Sequence, residues 1–497
     1  MSIAKRADYP ETKLINTKES LIFGYADDDI WKELVSGTGI RDIEPNLYRN
    51  EFFLVAIEPS GITVRRDAFC TLPIFYHHSA NQFILSNRFE AVADSLKSGE
   101  LSIDAVNLTE LLLALDINDS TVFENVKMLC ERTLLTASLE NLEILSPTDR
   151  PKYTEVTDQQ SFDAALEDSC DRWFKKAFIN GRTAFEVSGG VDSATAAGYA
   201  NRSGLATVVG SMEFPGVFGV SQEKKLSAIR DSFEAELEVV KIKLDHDYPL
   251  ARVLEPRRKR LIYQYEEIYT EILSNLAERL RDRNVTTVFT GIGGDELFES
   301  EAGEAWTGTG PDEAERRRNH PIPRFYTNRF SEMLDSTIEA VSRTPRPPVP
   351  LVARSALFSQ ASRNNVYIEK GIWPIAPLAD PTLYAICQGL PSELKERKIA
   401  LRKYQERHGY PVEAYQPEHN EHFGPFFESS IKKNYGQVID WLSENSVLAA
   451  SGLTDLEALR SLHRNIVTGA AEPRETFSIF LWVTAELILQ SAGLRKI

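Results

Sequence analysis

Cysteine is scarce: the 497 residues hold four, at Cys70, Cys130, Cys170 and Cys387, with no CxxC pair. That spacing gives no sequence-evident zinc site and argues against a disulfide framework. Long apolar runs are missing too. The longest near the C-terminus, Phe477 to Leu489, is interrupted by Thr484 and Glu486 and is too short to span a bilayer. The opening stretch MSIAKRADYPETK lacks the apolar core of a signal peptide, so a soluble cytoplasmic protein with no membrane partner is expected. Positive charge is in deficit, with 56 Lys+Arg against 73 Asp+Glu and a formal net charge of −17. Neutralising a phosphate backbone takes clustered Lys and Arg, so no nucleic-acid partner is expected. A local basic pocket for a nucleotide is compatible with this balance.

What is present reads as an ordinary folded chain, 42% apolar and 26% charged. At about 150 residues per domain, the length predicts two or three domains. Residues 1–150 read as short strands with turn signals, a β-rich α+β domain. Within it, Glu51–Glu58 and Ile62–Arg66 flank Pro59-Ser60-Gly61, a hairpin signal. Leu72–His77 and Gln82–Leu85 predict a second strand pair, and Ala91–Lys97 and Val106–Leu115 carry helical patterns. From about Phe162 the texture changes. Ala184–Val187, Ala206–Met212, Leu237–Ile242 and Thr286–Thr290 read as strands. They alternate with helical patterns at Val191–Asn201, Gln222–Phe233 and Ile262–Arg281. Such alternation predicts a parallel sheet covered by helices, with ligands beyond the carboxyl ends of its strands. The chain from about Ser331 reads as mostly helical, with loops at Glu299–Pro323 and Arg343–Pro350.

Two motifs follow predicted strands. Ser188-Gly189-Gly190-Val191-Asp192-Ser193 opens a helix. Its glycines let backbone N–H groups close on an anion, the helix N-terminus adds partial positive charge, and Ser188 and Ser193 add hydroxyl donors. Asp192 would repel phosphate unless it holds Mg²⁺, which takes carboxylate and phosphate oxygens together. The plainer alternative is a glycine-containing turn with a serine cap. The second motif, Thr290-Gly291-Ile292-Gly293-Gly294-Asp295-Glu296-Leu297-Phe298, offers close backbone approach at Gly291 and Gly293. It also supplies a second carboxylate, Asp295.

SGGVDS resembles the signature of PP-loop ATP pyrophosphatases, and with TGIGGDELF the chain is similar to their asparagine synthetase branch. Val64-Arg65-Arg66-Asp67, Leu72-Pro73-Ile74-Phe75-Tyr76 and Ile84-Leu85-Ser86-Asn87 resemble that family's glutaminase-like domain. Ile375-Ala376-Pro377-Leu378-Ala379-Asp380 and Lys398-Ile399-Ala400-Leu401-Arg402 extend the likeness. The resemblance implies an α+β, Ntn-hydrolase-like domain over 1–150. An α/β PP-loop synthetase domain of the adenine nucleotide α-hydrolase-like kind, with a helical C-terminal part, would cover 160–497. It implies ATP and Mg²⁺ as cofactors, adenylation of a carboxylate with release of pyrophosphate, and attack of an amine on the acyl-adenylate. By resemblance, Ser188, Gly189, Gly190 and Ser193 would cradle pyrophosphate, with Gly291 and Gly293 in the companion loop. Asp192 and Asp295 would hold the metal and Lys398 would bind phosphate, the alternative for Lys398 being a solvated helix lysine. Met212 would lie near the adenine or be a core methionine.

The chain departs from the family at several points, among them the absence of a lysine within Gln416–Gly424. Glutamine-using members expose a cysteine after the initiator methionine, where this sequence has Ser2. The glutaminase-like domain therefore reads as non-catalytic, and the amine would be free, carried by a partner protein or part of the substrate. The resemblance then narrows to branches without glutaminase: β-lactam and carbapenam synthetases and the macrolactam synthetases that close lasso peptides. Ile292 stands where the first two would place a proton-moving tyrosine. For proton transfer, Glu296, Tyr263, Tyr265, Glu266 and Glu267 are candidates, and His419 or His422 could assist or be surface residues.

The leading expectation is an ATP-dependent amide synthetase acting on a small molecule or peptide that bears both a carboxylate and an amine, closing a lactam or macrolactam in a specialised pathway. Asparagine synthesis from glutamine or ammonia, and a nucleotide-binding scaffold without catalysis, remain the alternatives.

Overall fold

The computed structural model describes residues 13–16, 21–26, 28–36, 39–43, 51–96, 101–114, 121–146, 158–177, 182–202, 208–214, 216–232, 238–244, 270–298, 315, 317–343, 351–416 and 424–497. Ser2, Tyr263, Tyr265, Glu266, Glu267, His419 and His422 lie outside them, as does most of the loop at 299–323.

Strands run in chain order β1 (Lys13–Asn16), β2 (Leu21–Ala26), β3 (Phe52–Glu58), β4 (Gly61–Arg66), β5 (Phe75–Ser79), β6 (Gln82–Ser86), β7 (Lys127–Met128), β8 (Leu134–Ala137) and β9 (Leu142–Leu145). They form an antiparallel six-stranded sheet, β1-β2-β3-β4-β8-β9, and a three-stranded sheet, β6-β5-β7. The predicted hairpin is present: Glu58 pairs with Gly61 across Pro59 and Ser60. The second predicted pair is β5–β6, although β5 starts at Phe75 rather than Leu72 because Pro73 has no N–H for a ladder. The helical patterns become Phe89–Asp94 and Ala105–Leu113, the latter capped by Asp104, whose side chain accepts from the Val106 and Asn107 amides.

The remaining strands, β10 (Arg182–Glu186), β11 (Val208–Glu213), β12 (Glu238–Lys243), β13 (Val285–Phe289) and β14 (Trp373–Ile375), form an all-parallel sheet in the order β12-β11-β10-β13-β14. The chain thus moves outward from β10 through β11 to β12, then returns to place β13 on the other side of β10. That reversal makes the carboxyl ends of β10 and β13 a topological switch point, where an open parallel sheet leaves a crevice. Side-chain alternation fixes the two faces. Phe185 and Val187 pack with the helices Gln159–Ala177 and Val191–Arg202 through Phe162, Trp173, Phe174, Ala194 and Ala197. Ala184, on the opposite face, packs with Ile272, Leu276 and Leu280 of the helix Thr270–Arg281.

C-terminal helices, including Asn328–Arg343, Gly424–Ser443, Leu456–Thr468 and Pro473–Ser491, share one apolar cluster with the helix Ala105–Leu113. The run from Phe477 to Leu489 therefore packs inside a protein core, mostly buried. Among the described residues no helix is long and apolar enough to cross a membrane. No disulfide joins the four cysteines, all of which are among the described residues. Polar contacts also tie the antiparallel sheets to the parallel one: Asn364 Nδ2 donates to the Thr71 carbonyl at 2.8 Å, and Tyr25 meets Trp373 edge-on at 5.2 Å.

Candidate functional site

The SGGVDS segment is the turn between β10 and the helix Val191–Arg202, as its spacing predicts. Val187 N–H still donates to the Gly210 carbonyl of the neighbouring strand, at 2.8 Å, so the turn begins at Ser188. Gly189 has φ +92°, a conformation that L side chains rarely adopt. The turn is tied internally. Ser193 Oγ lies 3.2 Å from Ser188 Oγ, accepts from the Ser188 amide at 3.2 Å and donates to the Gly190 carbonyl at 3.2 Å. Ser188 is exposed and Ser193 is buried, so the two serines divide the work: one faces outward and the other braces the loop.

TGIGGDELF follows β13 as a turn rather than a helix, with Leu297 N–H donating to the Gly293 carbonyl at 2.9 Å. Its glycines are where the two loops meet. A Cβ at Gly294 would stand 2.5 Å from Asp192 Cβ, and one at Gly291 would stand 3.0 Å from the Ser193 nitrogen. Gly293, at φ +94°, presses against the backbone of Leu378 and Ala379, so the IAPLAD segment after β14 walls the same site. Leu297 and Phe298 anchor the loop in the core, and Phe298 packs edge-on to Phe162 at 5.7 Å.

Lys398, about two hundred residues on in sequence from Asp192, completes the group. Its Nζ donates to Asp192 Oδ2 at 2.6 Å and to Asp295 Oδ1. The solvated-lysine alternative is excluded, since Lys398 is 9% exposed. The following helix, Ile399–Arg407, is what brings it there: Gln405 Nε2 donates to the Val191 carbonyl at 2.7 Å and to Thr195 Oγ1 at 2.8 Å. Arg397 and Lys398 both adopt left-handed backbone, φ 48° and 59°, a costly pair for non-glycine residues that the packing around them must enforce. Electrostatics match the geometry. Burial pulls the Lys398 ammonium down, but Asp192 and Asp295 outweigh it and hold its pKa above the ordinary lysine value. Burial pushes Asp192 up, and Asp295 adds to that while Lys398 opposes it; the net shift is upward.

Asp192 Oδ1 is buried without a hydrogen-bond partner. Two carboxylates converging on one cation, one of them with an unused oxygen, fit a hard divalent ion that takes its other ligands from phosphate and water. Among the described residues no group of three or more His, Cys, Asp or Glu forms a self-sufficient metal cage.

Other predicted residues lie further out. Glu296 accepts from Ser355 Oγ at 3.1 Å. Met212, at the end of β11, is buried in the apolar cluster with Ile242 and Ile272. Ile292 is half-buried in the loop. Two residues that the sequence does not single out support the turn. Gln222 bridges the ends of β10 and β11, and the buried Lys225 lays its aliphatic stem beside Gly189, 3.5 Å from where a Cβ would stand. Both sit in a helix of polar pattern, and only their complete burial marks them.

No protein-family model matches the chain, and no curated protein matches it significantly.

Proposed function

We propose that this protein is an ATP- and Mg²⁺-dependent amide synthetase that adenylates a substrate carboxylate. The observation that carries this reading is the convergence of Asp192, Asp295 and Lys398, from three distant segments, at the switch point of a parallel sheet. In this reading the five-stranded sheet and its helices are a PP-loop synthetase domain over 160–497, and residues 1–150 are an Ntn-hydrolase-like domain that hydrolyses no glutamine. Asp192 and Asp295 would hold Mg²⁺, which would supply Lewis-acid stabilisation of the departing pyrophosphate.

The chain's own groups supply the rest. The Ser188–Ser193 turn presents backbone N–H groups and the Ser188 hydroxyl to phosphate oxygens. Lys398 neutralises charge that grows on pyrophosphate as the bond between the α-phosphorus and the bridging oxygen breaks. A carboxylate oxygen forms the new bond to the α-phosphorus, giving acyl-adenylate and pyrophosphate. An amine then attacks the acyl carbon, AMP leaves with the acyl–oxygen electron pair, and the amine nitrogen loses a proton. In this reading the amine belongs to the substrate itself, and the product is a lactam or macrolactam. MgATP as co-substrate is consistent with a cytoplasmic location.

The test is pyrophosphate and AMP release from MgATP over a panel of amino acids and peptides bearing both a carboxylate and an amine, with Asp192→Asn as control. Carboxylate-dependent AMP formation that disappears in the control supports the reading. Hydrolysis to ADP and phosphate would sink it.

A further inference from the structure

We infer that Lys398 is the resident counter-cation of the Asp192–Asp295 pair, and that it makes the site selective for a metal–nucleotide complex over a free divalent cation. This rests on the proposed function and deepens it. The ammonium and a metal ion compete for one position, because Lys398 already engages Asp192 Oδ2 and Asp295 Oδ1. Without a cation between them the two carboxylates that share Lys398 would repel; Asp192 lies only 19% exposed, where water screens poorly, while Asp295, at 74%, faces solvent. The lysine is buried as well, so displacing it into nothing would strand an unpaired ammonium. A free divalent cation must meet that cost alone.

A nucleotide changes the balance. Its phosphates, on the Ser188–Ser193 turn, would offer Lys398 a second anion beside Asp192, a residue of that same turn which the ammonium already contacts at 2.6 Å. The ammonium moves from carboxylate to phosphate and vacates the oxygens for the metal. Metal and nucleotide then bind with positive coupling, and by linkage each tightens the other equally. The left-handed backbone at Arg397 and Lys398, with the helix behind it pinned by Gln405, assigns this motion to the side chain and leaves the main chain in place.

Substitution of Lys398 by Met therefore has opposite signs in two titrations on the full chain. Mn²⁺ alone, followed by electron paramagnetic resonance, binds Lys398→Met at least about tenfold more tightly than wild type, the scale of one close charge pair. Mg²⁺ with a non-hydrolysable ATP analogue, followed by calorimetry, binds the same variant more weakly. Lys398→Arg keeps the cation and guards against a folding artefact: its Mn²⁺ affinity stays near wild type. Mn²⁺ affinity in folded Lys398→Met that is unchanged or reduced overturns the exchange, even where wild type binds the magnesium–nucleotide complex. Failure of wild type to bind that complex at all overturns the underlying synthetase reading instead, and the two failures are read in separate titrations.

Discussion

Gln222 Nε2 lies 2.9 Å from the Ser188 carbonyl and 2.7 Å from that of Met212, while its Oε1 accepts from the Phe214 amide at 2.9 Å. One buried side-chain amide thus satisfies three backbone groups at the ends of two parallel strands, where the sheet ladder stops. The Ser188 turn inherits its position from this bridge. Replacement by leucine keeps volume and leaves all three groups without that partner, so stability falls by about 2–5 kcal/mol on the usual cost of buried unsatisfied polar groups. Urea denaturation measures the loss. In the assay for AMP formation, KM for ATP rises more than kcat falls, since the turn is displaced while the reacting groups remain.

Glycines at the loop contact give a graded series. Gly294→Ala drives a methyl into the Asp192 side chain, which is locked by its neighbours, so ATP-dependent pyrophosphate exchange is lost. Gly291→Ala meets the Ser193 backbone at 3.0 Å, a clash that a few tenths of an ångström relieve, and retains partial activity. Equal loss in both variants would show that the two loops do not act through Asp192. Thermal melts separate that case from unfolding.

The geometry of the Ser188 turn is legible in the sequence because it depends on local pattern. Strand, glycine pair and helix start occur within a dozen residues around Ser188, and the β3–β4 hairpin follows from alternation around Pro59-Ser60-Gly61. Lys398 was located only by resemblance. From local pattern Lys398 can equally be a solvated helix lysine, and nothing local announces that Gln405 will dock the next helix on Val191 and bury the ammonium. β14 is three residues long, too short for any periodicity, so its place beside β13 emerges only from the sheet. Gln222 and Lys225 were missed for a related reason, since burial of a polar helix residue is a property of its neighbours in space.

Arg317 and Glu110 form a buried ion pair at 2.8 Å, joining the segment before the C-terminal helices to the helix Ala105–Leu113. Neither side chain exceeds 3% exposure, so solvent does little to screen the pair. Arg317→Met removes one partner and leaves the carboxylate in the core, with an expected cost of about 3–5 kcal/mol. A double replacement, Arg317→Met with Glu110→Leu, recovers part of that cost because both charges of the pair leave the core together. Chemical denaturation of the two singles and the double closes the cycle. Additive losses would mean the two side chains are not coupled.

His408 sets a pH dependence that is separate from the site. It packs on Tyr404, ring centroids 4.3 Å apart, with Nε2 3.4 Å from Glu167 Oε1. Burial lowers its pKa below the ordinary 6.5, and the Arg202 guanidinium lowers it further, while Glu167 opposes them. The folded chain therefore binds fewer protons than the unfolded chain at pH values below 6.5 and down to the depressed folded pKa. Stability then rises with pH across that window, and the contribution present above it is lost as pH falls through the folded value. His408→Gln has no proton to take up, so its stability declines less than wild type on moving from about pH 7.5 to about pH 5. Urea midpoints of both proteins at those two pH values make the comparison. Parallel declines would show that the imidazole titrates alike in the folded and unfolded chains, and that burial against Tyr404 and the nearby Arg202 charge do not disfavour the charged ring.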